Sequence, residues 1–308
     1  MKNFIDISDL SSKELRSIIE EGKSRKIKRK DLNKSAPDED KPFEGKSMAM
    51  IFEKPSTRTR MSFDIAVKQL GGSSIILNPD GIHYGKGDET LKDTAKVLTE
   101  YVDIVMLRTS SHKNLEEFGK HLEIPIINGL SDKSHPCQIM SDIMTFEETK
   151  GLITGKVVSW LGDGNNNMSN SLIEAAGKFG FQLKIACPKQ YAPNKNILSW
   201  AKKNKVNLLV TRKPEEAVQD SDCVMTDKWV SMNDKVNKKV KKKILKNYQV
   251  NKKLMQKAKS DAIFMHCLPV GRGEEVTDEV IDGKKSVVWR QALNRVHAQK
   301  SIINWCLD

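Results

Sequence analysis

Twice along this chain, short apolar runs alternate with segments of helical period, and that alternation constrains the fold more than any other feature. In the first series SMAMIF (47–52), SSIILN, DIVMLR and IPIIN read as strands. Helices are expected between them, from about Thr57 to Leu70 with a stop at Gly71 and Gly72, around Leu91 to Tyr101, and near Leu115 to His121. A helical stretch from about Gln138 to Lys150 follows, and the pattern then restarts. GKVVSWLG, FQLKIAC, VNLLVT, DCVMT, AIFMHC and SVVW read as strands, mostly separated by helices near Met168–Phe179, Asn196–Asn204 and PEEAVQ. Repeated βα units imply parallel sheets, because a parallel connection needs a crossover and the crossover helix covers a face. The expectation is an α/β protein of two similar domains, each a parallel sheet covered by helices on both faces. The boundaries fall at 1–143, 144–288 and a terminal segment, 289–308, in which Leu293, Val296, Ile303 and Leu307 have helical spacing.

A chain of 308 residues with 38% hydrophobic content and 18 glycines can fill two cores, which excludes disorder and collagen-like repeats. No apolar run reaches the roughly 18 residues of a membrane span. The opening MKNFIDISDLSSKELRSIIEEG carries acids and an amphipathic period where a signal peptide needs a continuous apolar stretch. The five cysteines, at 137, 187, 223, 267 and 306, show no CxxC or Cys/His spacing suited to zinc. A soluble cytoplasmic protein without a membrane partner is expected.

The net charge of +12 is concentrated in two stretches: KSRKIKRK (23–30), and 235–259 with eleven lysines. In the second, Val236, Val240, Ile244, Leu245 and Leu254 recur at roughly helical intervals, and Tyr248 is the one aromatic residue. Solvated helix faces explain both stretches better than nucleic-acid binding, which calls for stacking aromatics among the cations.

Chemistry concentrates at strand ends, where open α/β sheets bind ligands. After the first strand comes FEKPSTRTRMSFDIAVKQLGG. Phe63, Ala66, Val67 and Leu70 fall at i, i+3, i+4 and i+7, which fixes a helix with Ser56 as its N-cap and Thr57, Arg58, Thr59 and Arg60 in its first turn. Two arginines there oppose the positive end of the helix dipole, at about 0.3–1 kcal/mol each, unless an anion sits between them. A phosphate resolves the conflict, accepting backbone N–H groups, hydroxyls and a guanidinium. Arg108 ends the third strand as a further cation. His135 and Gln138 lie one turn apart at a helix start opened by Pro136; an imidazole N–H polarises a carbonyl, and a glutamine carbonyl accepts from an NH₂ group. In the second series, GDGNNNMSN has Asn167 where a dinucleotide turn needs its third glycine, and the next strand ends in Cys187 and Pro188 without a ribose-binding acid. Adjacent amides at a helix start suit an amino acid's carboxylate and ammonium groups better. Asp227 with Ser231, His266 with Cys267, and Asn294 with Arg295 complete the set. Taken singly, these also read as an Asx turn, a buried structural cysteine and a surface arginine.

Together the motifs carry more. SerThrArgThrArg, HisProCysGln, AspLysTrpValSerMet and HisCysLeuPro, in this order and at these intervals over nearly the whole chain, resemble the ornithine carbamoyltransferases of the aspartate/ornithine carbamoyltransferase family. SerThrArgThrArg is common to the aspartate enzymes, whereas HisCysLeuPro and the AspxTrpxSerMet loop look like the ornithine branch. The resemblance implies a carbamoyl phosphate domain, then an ornithine domain, and a terminal helix crossing back to the first. It implies carbamoyl transfer to the δ-amine of L-ornithine, giving citrulline and phosphate with no metal or organic cofactor. Carbamoyl phosphate would meet Ser56, Thr57, Arg58, Thr59, Arg108, His135, Gln138, Cys267, Leu268 and Arg295, of which Arg108, His135, Cys267 and Arg295 would be catalytic. Ornithine would meet Asn167, Asp227, Ser231 and Met232. His83 matches a position that reaches a neighbouring subunit's phosphate site, which implies a homotrimer with shared sites. Related acceptors would be acetylornithine, putrescine and aspartate. Asn233 stands where the family has glycine, the triple Asn165–Asn167 leaves the choice between Asn166 and Asn167 open, and the segment around Lys86 is one residue longer than usual.

Overall fold

The structure is a computed structural model, and it describes residues 2–78, 89–230 and 237–308. His83, Ser231 and Met232 lie outside the described residues. The chain divides into two compact units, residues 1–144 with 293–308, and residues 145–292.

The first unit holds α1 (Ser12–Lys28), β1 (Ser47–Phe52), α2 (Thr57–Gln69), β2 (Ser73–Leu77), α3 (Leu91–Tyr101), β3 (Ile104–Arg108), α4 (His112–His121), β4 (Ile126–Leu130) and most of α5 (Pro136–Lys150). Its four strands run parallel in the order β2-β1-β3-β4. The chain steps from β1 to β2 in one direction and from β2 past β1 to β3 in the other. With right-handed crossovers, those opposite steps put the connecting helices on opposite faces. Met48 through Ile51 on β1 are fully buried, as a central strand covered on both sides requires. Ala49, Ile51, Val105 and Leu107 pack with Ala95 and Leu98 of α3 and with Leu115 and Phe118 of α4 in one cluster. Each fully buried Leu or Phe there contributes about 1.5–3 kcal/mol.

The second unit contains β5 (Val157–Leu161), α6 (Asn167–Phe179), β6 (Gln182–Ala186), α7 (Lys195–Lys203), β7 (Leu208–Thr211), α8 (Pro214–Val218), β8 (Cys223–Thr226), α9 (Lys238–Leu245), α10 (Lys252–Met255), β9 (Ile263–His266), α11 (Asp278–Ile281) and the start of α12 (Val288–Leu307). Its five strands are again parallel, in the order β7-β6-β5-β8-β9.

Two expectations need correction. SVVW is not a strand. Ser286 makes one isolated bridge to Phe264, and the terminal helix already begins at Val288. Ahead of the apolar residues at helical spacing, two β-branched residues read as strand, but local propensity yields to the helix that follows. The lysine-rich helix also turns differently from its apolar pattern: Val240 is 53% exposed, while Lys241 is buried with Leu245.

Residues 293–307 of α12 dock in the first unit. Gly22 allows close approach, since a Cβ there would lie 3.1 Å from Ser301 Oγ and 3.4 Å from the His297 carbonyl oxygen. Lys26 Nζ donates to Asn294 Oδ1 at 2.7 Å, and the buried Lys300 ammonium donates to both oxygens of Asp38 at 2.9 and 3.1 Å. No helix among the described residues is long and apolar enough to cross a membrane.

Candidate active site

In each sheet the strand order reverses direction at one point, between β1 and β3 in the first and between β5 and β8 in the second. Ligands in open α/β sheets bind outside the carboxyl ends of strands at such points. Phe52 pairs with Arg108 at the first, and Leu161 with Thr226 at the second, so the loops that follow these residues are the candidate ligand-binding segments.

At the first point the expected geometry of α2 is present. Ser56 is extended at the N-cap and its hydroxyl accepts from the Thr59 N–H. That leaves Thr57 exposed and Arg58 half-buried in the first turn, while Thr59 is fully buried. The Thr59 hydroxyl is the hub of the site. It accepts from Arg108 Nη1 at 3.0 Å and from Arg295 Nη2 at 2.9 Å, joining α2, β3 and α12. Arg295 Nη1 also donates to Gln138 Oε1 at 3.1 Å. The Gln138 amide donates to Asp142 Oδ1 at 2.8 Å, so its carbonyl is turned toward the arginine. Asp142 was not singled out from the sequence, although its i+4 spacing from Gln138 is a signal that could have found it.

His135 is buried beside this cluster. Burial foremost, and then the charges of Arg295, Arg108 and Arg58, hold its pKa well below the ordinary 6.5. The imidazole is therefore neutral at physiological pH and can offer an N–H without adding a fourth positive charge. Ser56, Thr57, Arg58, Thr59, Arg108, His135, Gln138 and Arg295, predicted separately, all belong to this unit. Its neighbour Cys137 is structural: the thiol donates to the Asn128 carbonyl at 3.3 Å, and burial pushes its pKa up to about 12.

At the second point, Asn166 is the N-cap of α6. Its side-chain oxygen accepts from the Ser169 N–H at 2.8 Å, and its own N–H donates to Ser169 Oγ at 3.1 Å. The cap thus occupies the Asn166 side chain and puts Asn167 at the first helical position. Asp227 follows β8, and its Oδ1 accepts from the Cys267 thiol at 3.1 Å and from the Lys228 N–H at 2.7 Å. Cys267 and Leu268 follow β9. Leu268 has φ +60°, and its N–H donates to His266 Nδ1 at 2.8 Å. His266 Nε2 lies 3.3 Å from the wholly buried carboxylate of Glu275, a residue that sequence reasoning missed. Asp227, His266 and Cys267 offer ligand-type atoms within 4.8 Å of one another, yet Nδ1 of the histidine already receives an N–H and Nε2 faces Glu275.

Each half of the chain matches a family model. Residues 2–148 match the carbamoyl-P binding domain of aspartate/ornithine carbamoyltransferase, and residues 154–306 match its Asp/Orn binding domain. An ornithine carbamoyltransferase of Nitrobacter winogradskyi is 50% identical over 306 residues, covering 99% of this chain and 97% of that protein. One from Agrobacterium fabrum is 48% identical, with coverage of 99% and 98%. Among solved structures, the ornithine carbamoyltransferase of Pyrococcus furiosus superposes with a TM-score of 0.91 at 43% identity, covering 98% of this chain and 96% of that one. The anabolic ornithine carbamoyltransferase of Campylobacter jejuni does so with 0.91 at 36% identity, covering 99% of each.

Proposed function

Since the chain belongs to the aspartate/ornithine carbamoyltransferase family, we propose that it transfers the carbamoyl group of carbamoyl phosphate to the δ-amine of L-ornithine, yielding L-citrulline and phosphate. The observation that carries the donor half is the Thr59 hydroxyl held by Arg108 and Arg295, beside a histidine kept neutral among three arginines. Such an array is charge-strained when empty and matched when a dianionic phosphate arrives. Ser56, Thr57, Arg58 and Thr59 bind the phosphate at the start of α2. Thr59, Arg108 and His135 face the carbonyl oxygen, and Arg295 bridges the donor and Gln138. The Gln138 carbonyl accepts the donor's NH₂ group.

For the acceptor, the Asp227 carboxylate and the Cys267 thiol suit a side-chain amine. They oppose aspartate, whose carboxylate would meet Asp227 with like charge. Asn167, Ser231 and Met232 hold the α-amino and carboxylate groups.

In the reaction, the lone pair of a neutral δ-amine forms the new C–N bond and the carbonyl oxygen becomes an oxyanion. Donors already aimed at that oxygen stabilise it without reorganising. The C–O bond to phosphate then breaks, and the departing phosphate takes the proton from the attacking nitrogen. Positioning and electrostatics carry the catalysis, with no metal or organic cofactor and no nucleic-acid or membrane partner in the scheme. We further read the assembly as a homotrimer in which His83 of one subunit completes the phosphate site of the next. The five free thiols favour a reducing, cytosolic setting.

The test is a product assay with carbamoyl phosphate and, in separate reactions, ornithine, acetylornithine, putrescine and aspartate. Citrulline from ornithine is the expected product. Carbamoylation of another amine while ornithine stays inert would overturn the acceptor assignment.

A further inference from the structure

The lysine-rich segment contains an anomaly. On α9, Val240 is 53% exposed while Lys241 is turned inward and is 4% exposed. A helix that leaves a valine in water and buries an ammonium group works against the hydrophobic effect and against charge desolvation together. The fully buried Leu245, one turn on, shares this inward face, and the lysine beside it is held by a specific partner. That partner is Asp163, itself nearly buried, whose Oδ2 lies 2.7 Å from Lys241 Nζ. The ammonium also sits 5.2 Å from the centroid of the Tyr191 ring.

Asp163 is the second residue of the loop that follows β5. Its Oδ1 accepts from the Asn165 N–H at 2.9 Å, and its carbonyl accepts from Trp160 Nε1 at 2.9 Å. Gly164 donates to the Tyr191 carbonyl at 2.9 Å, and a Cβ there would meet that oxygen at 2.9 Å, so the turn lies tight against Tyr191. One residue past Asn165, Asn166 caps α6, and Asn167 opens it. The lysine and the aromatic ring thus brace one side of a turn whose other end sets where α6 begins.

We propose that Lys241 is a positioning residue for the acceptor substrate, fixing through the Asp163 carboxylate the turn that presents Asn167. This rests on the reading of Asn167 as an acceptor contact. A buried ion pair is weak evidence for stability and better evidence for a specified geometry. Arginine at 241 would serve the same end with a longer reach; methionine would fill the space without the charge.

The experiment compares Lys241→Met and Lys241→Arg with the wild-type full chain in steady state, alongside amide hydrogen exchange over residues 163–170. In Lys241→Met the KM for ornithine is expected to rise at least tenfold, with the KM for carbamoyl phosphate within twofold of wild type. Exchange over 163–170 should be at least tenfold faster. Lys241→Arg should stay within threefold on every measure. Because Lys241→Met leaves a lone buried carboxylate, Lys241→Met/Asp163→Asn is made beside it and should show the same split between the two KM values. An unchanged ornithine KM overturns the proposal even if exchange is faster, since the pair is then merely structural. An equal rise in both KM values overturns it too. Wild-type inactivity with ornithine would instead refute the substrate reading, and the KM comparison is then run with the amine that is carbamoylated.

Discussion

Replacing Thr59 by valine tests the hub of the donor site with almost no change of shape. The hydroxyl accepts from two guanidinium groups at 3.0 and 2.9 Å, and the side chain is fully buried. A hydrogen bond to a charged group contributes about 1.5–3 kcal/mol, so the two together amount to about 3–6 kcal/mol. Part returns when the guanidinium groups turn to water or to the bound phosphate, which leaves about 3 kcal/mol as the working figure. At 1.4 kcal/mol per tenfold, kcat/KM for carbamoyl phosphate should fall about 100-fold. Valine keeps the β-branch and helix propensity of threonine, so stability should fall by no more than about 1–3 kcal/mol, the cost of leaving donors unsatisfied. The assay is citrulline formation with carbamoyl phosphate varied at saturating ornithine, with a thermal melt of the same sample. Thr59→Ser, which retains the hydroxyl, should remain within about fivefold of wild type. Wild-type kinetics in Thr59→Val would refute the hub. A serine variant as impaired as the valine variant would show that the methyl group matters and the hydroxyl does not.

Asp227→Asn should raise the KM for ornithine at least tenfold while carbamoyl phosphate binding, followed by calorimetry, survives; loss of both would place Asp227 outside the acceptor half. Acid should destabilise the fold through its buried histidines. His297 is brought down to about 3, chiefly by burial, and His135 well below 6.5, so both folded pKa values are depressed. Their contribution is complete above about pH 6.5 and is lost as pH falls toward the folded values, because the unfolded state takes up protons first. The thermal midpoint should therefore drop between pH 7 and pH 4, and His297→Gln should shrink that drop; an unaltered slope would remove His297 from the account. The proposed trimer with shared sites can be tested by mixing. Arg58→Ala and His83→Ala homotrimers should each be impaired, yet random reassembly in a cyclic trimer should restore about one site in four. Hybrids confirmed by mass that show only the parental average would place His83 within its own chain or outside catalysis.

Much was legible in the sequence because the relevant signals are local and periodic. The apolar stripe from Phe63 to Leu70 dictates the helix, Ser56 its cap, and Thr57 to Arg60 the polar first turn, and the structure has each of these. Alternation of strand and helix fixes parallel sheets for the same reason. The motif set pointed to the family, and with it to residues as far apart as Ser56 and Arg295. What the sequence could not determine depends on which neighbours a side chain meets. Residues 286–289 have strand propensity, but helix α12 takes Val288 as its first residue. Asn166 and Asn167 are equivalent in composition until the cap geometry commits one of them to Ser169. Periodicity turns Val240 inward and Lys241 outward; the buried Leu245 and the Asp163 carboxylate, 78 positions earlier in the chain, accompany the opposite orientation. The same holds for Thr59, whose role as an acceptor for Arg108 and Arg295 exists only where three elements converge. Hydrophobic period reports the average environment of a helix face, whereas a buried charge reports particular partners, and those are fixed by tertiary packing.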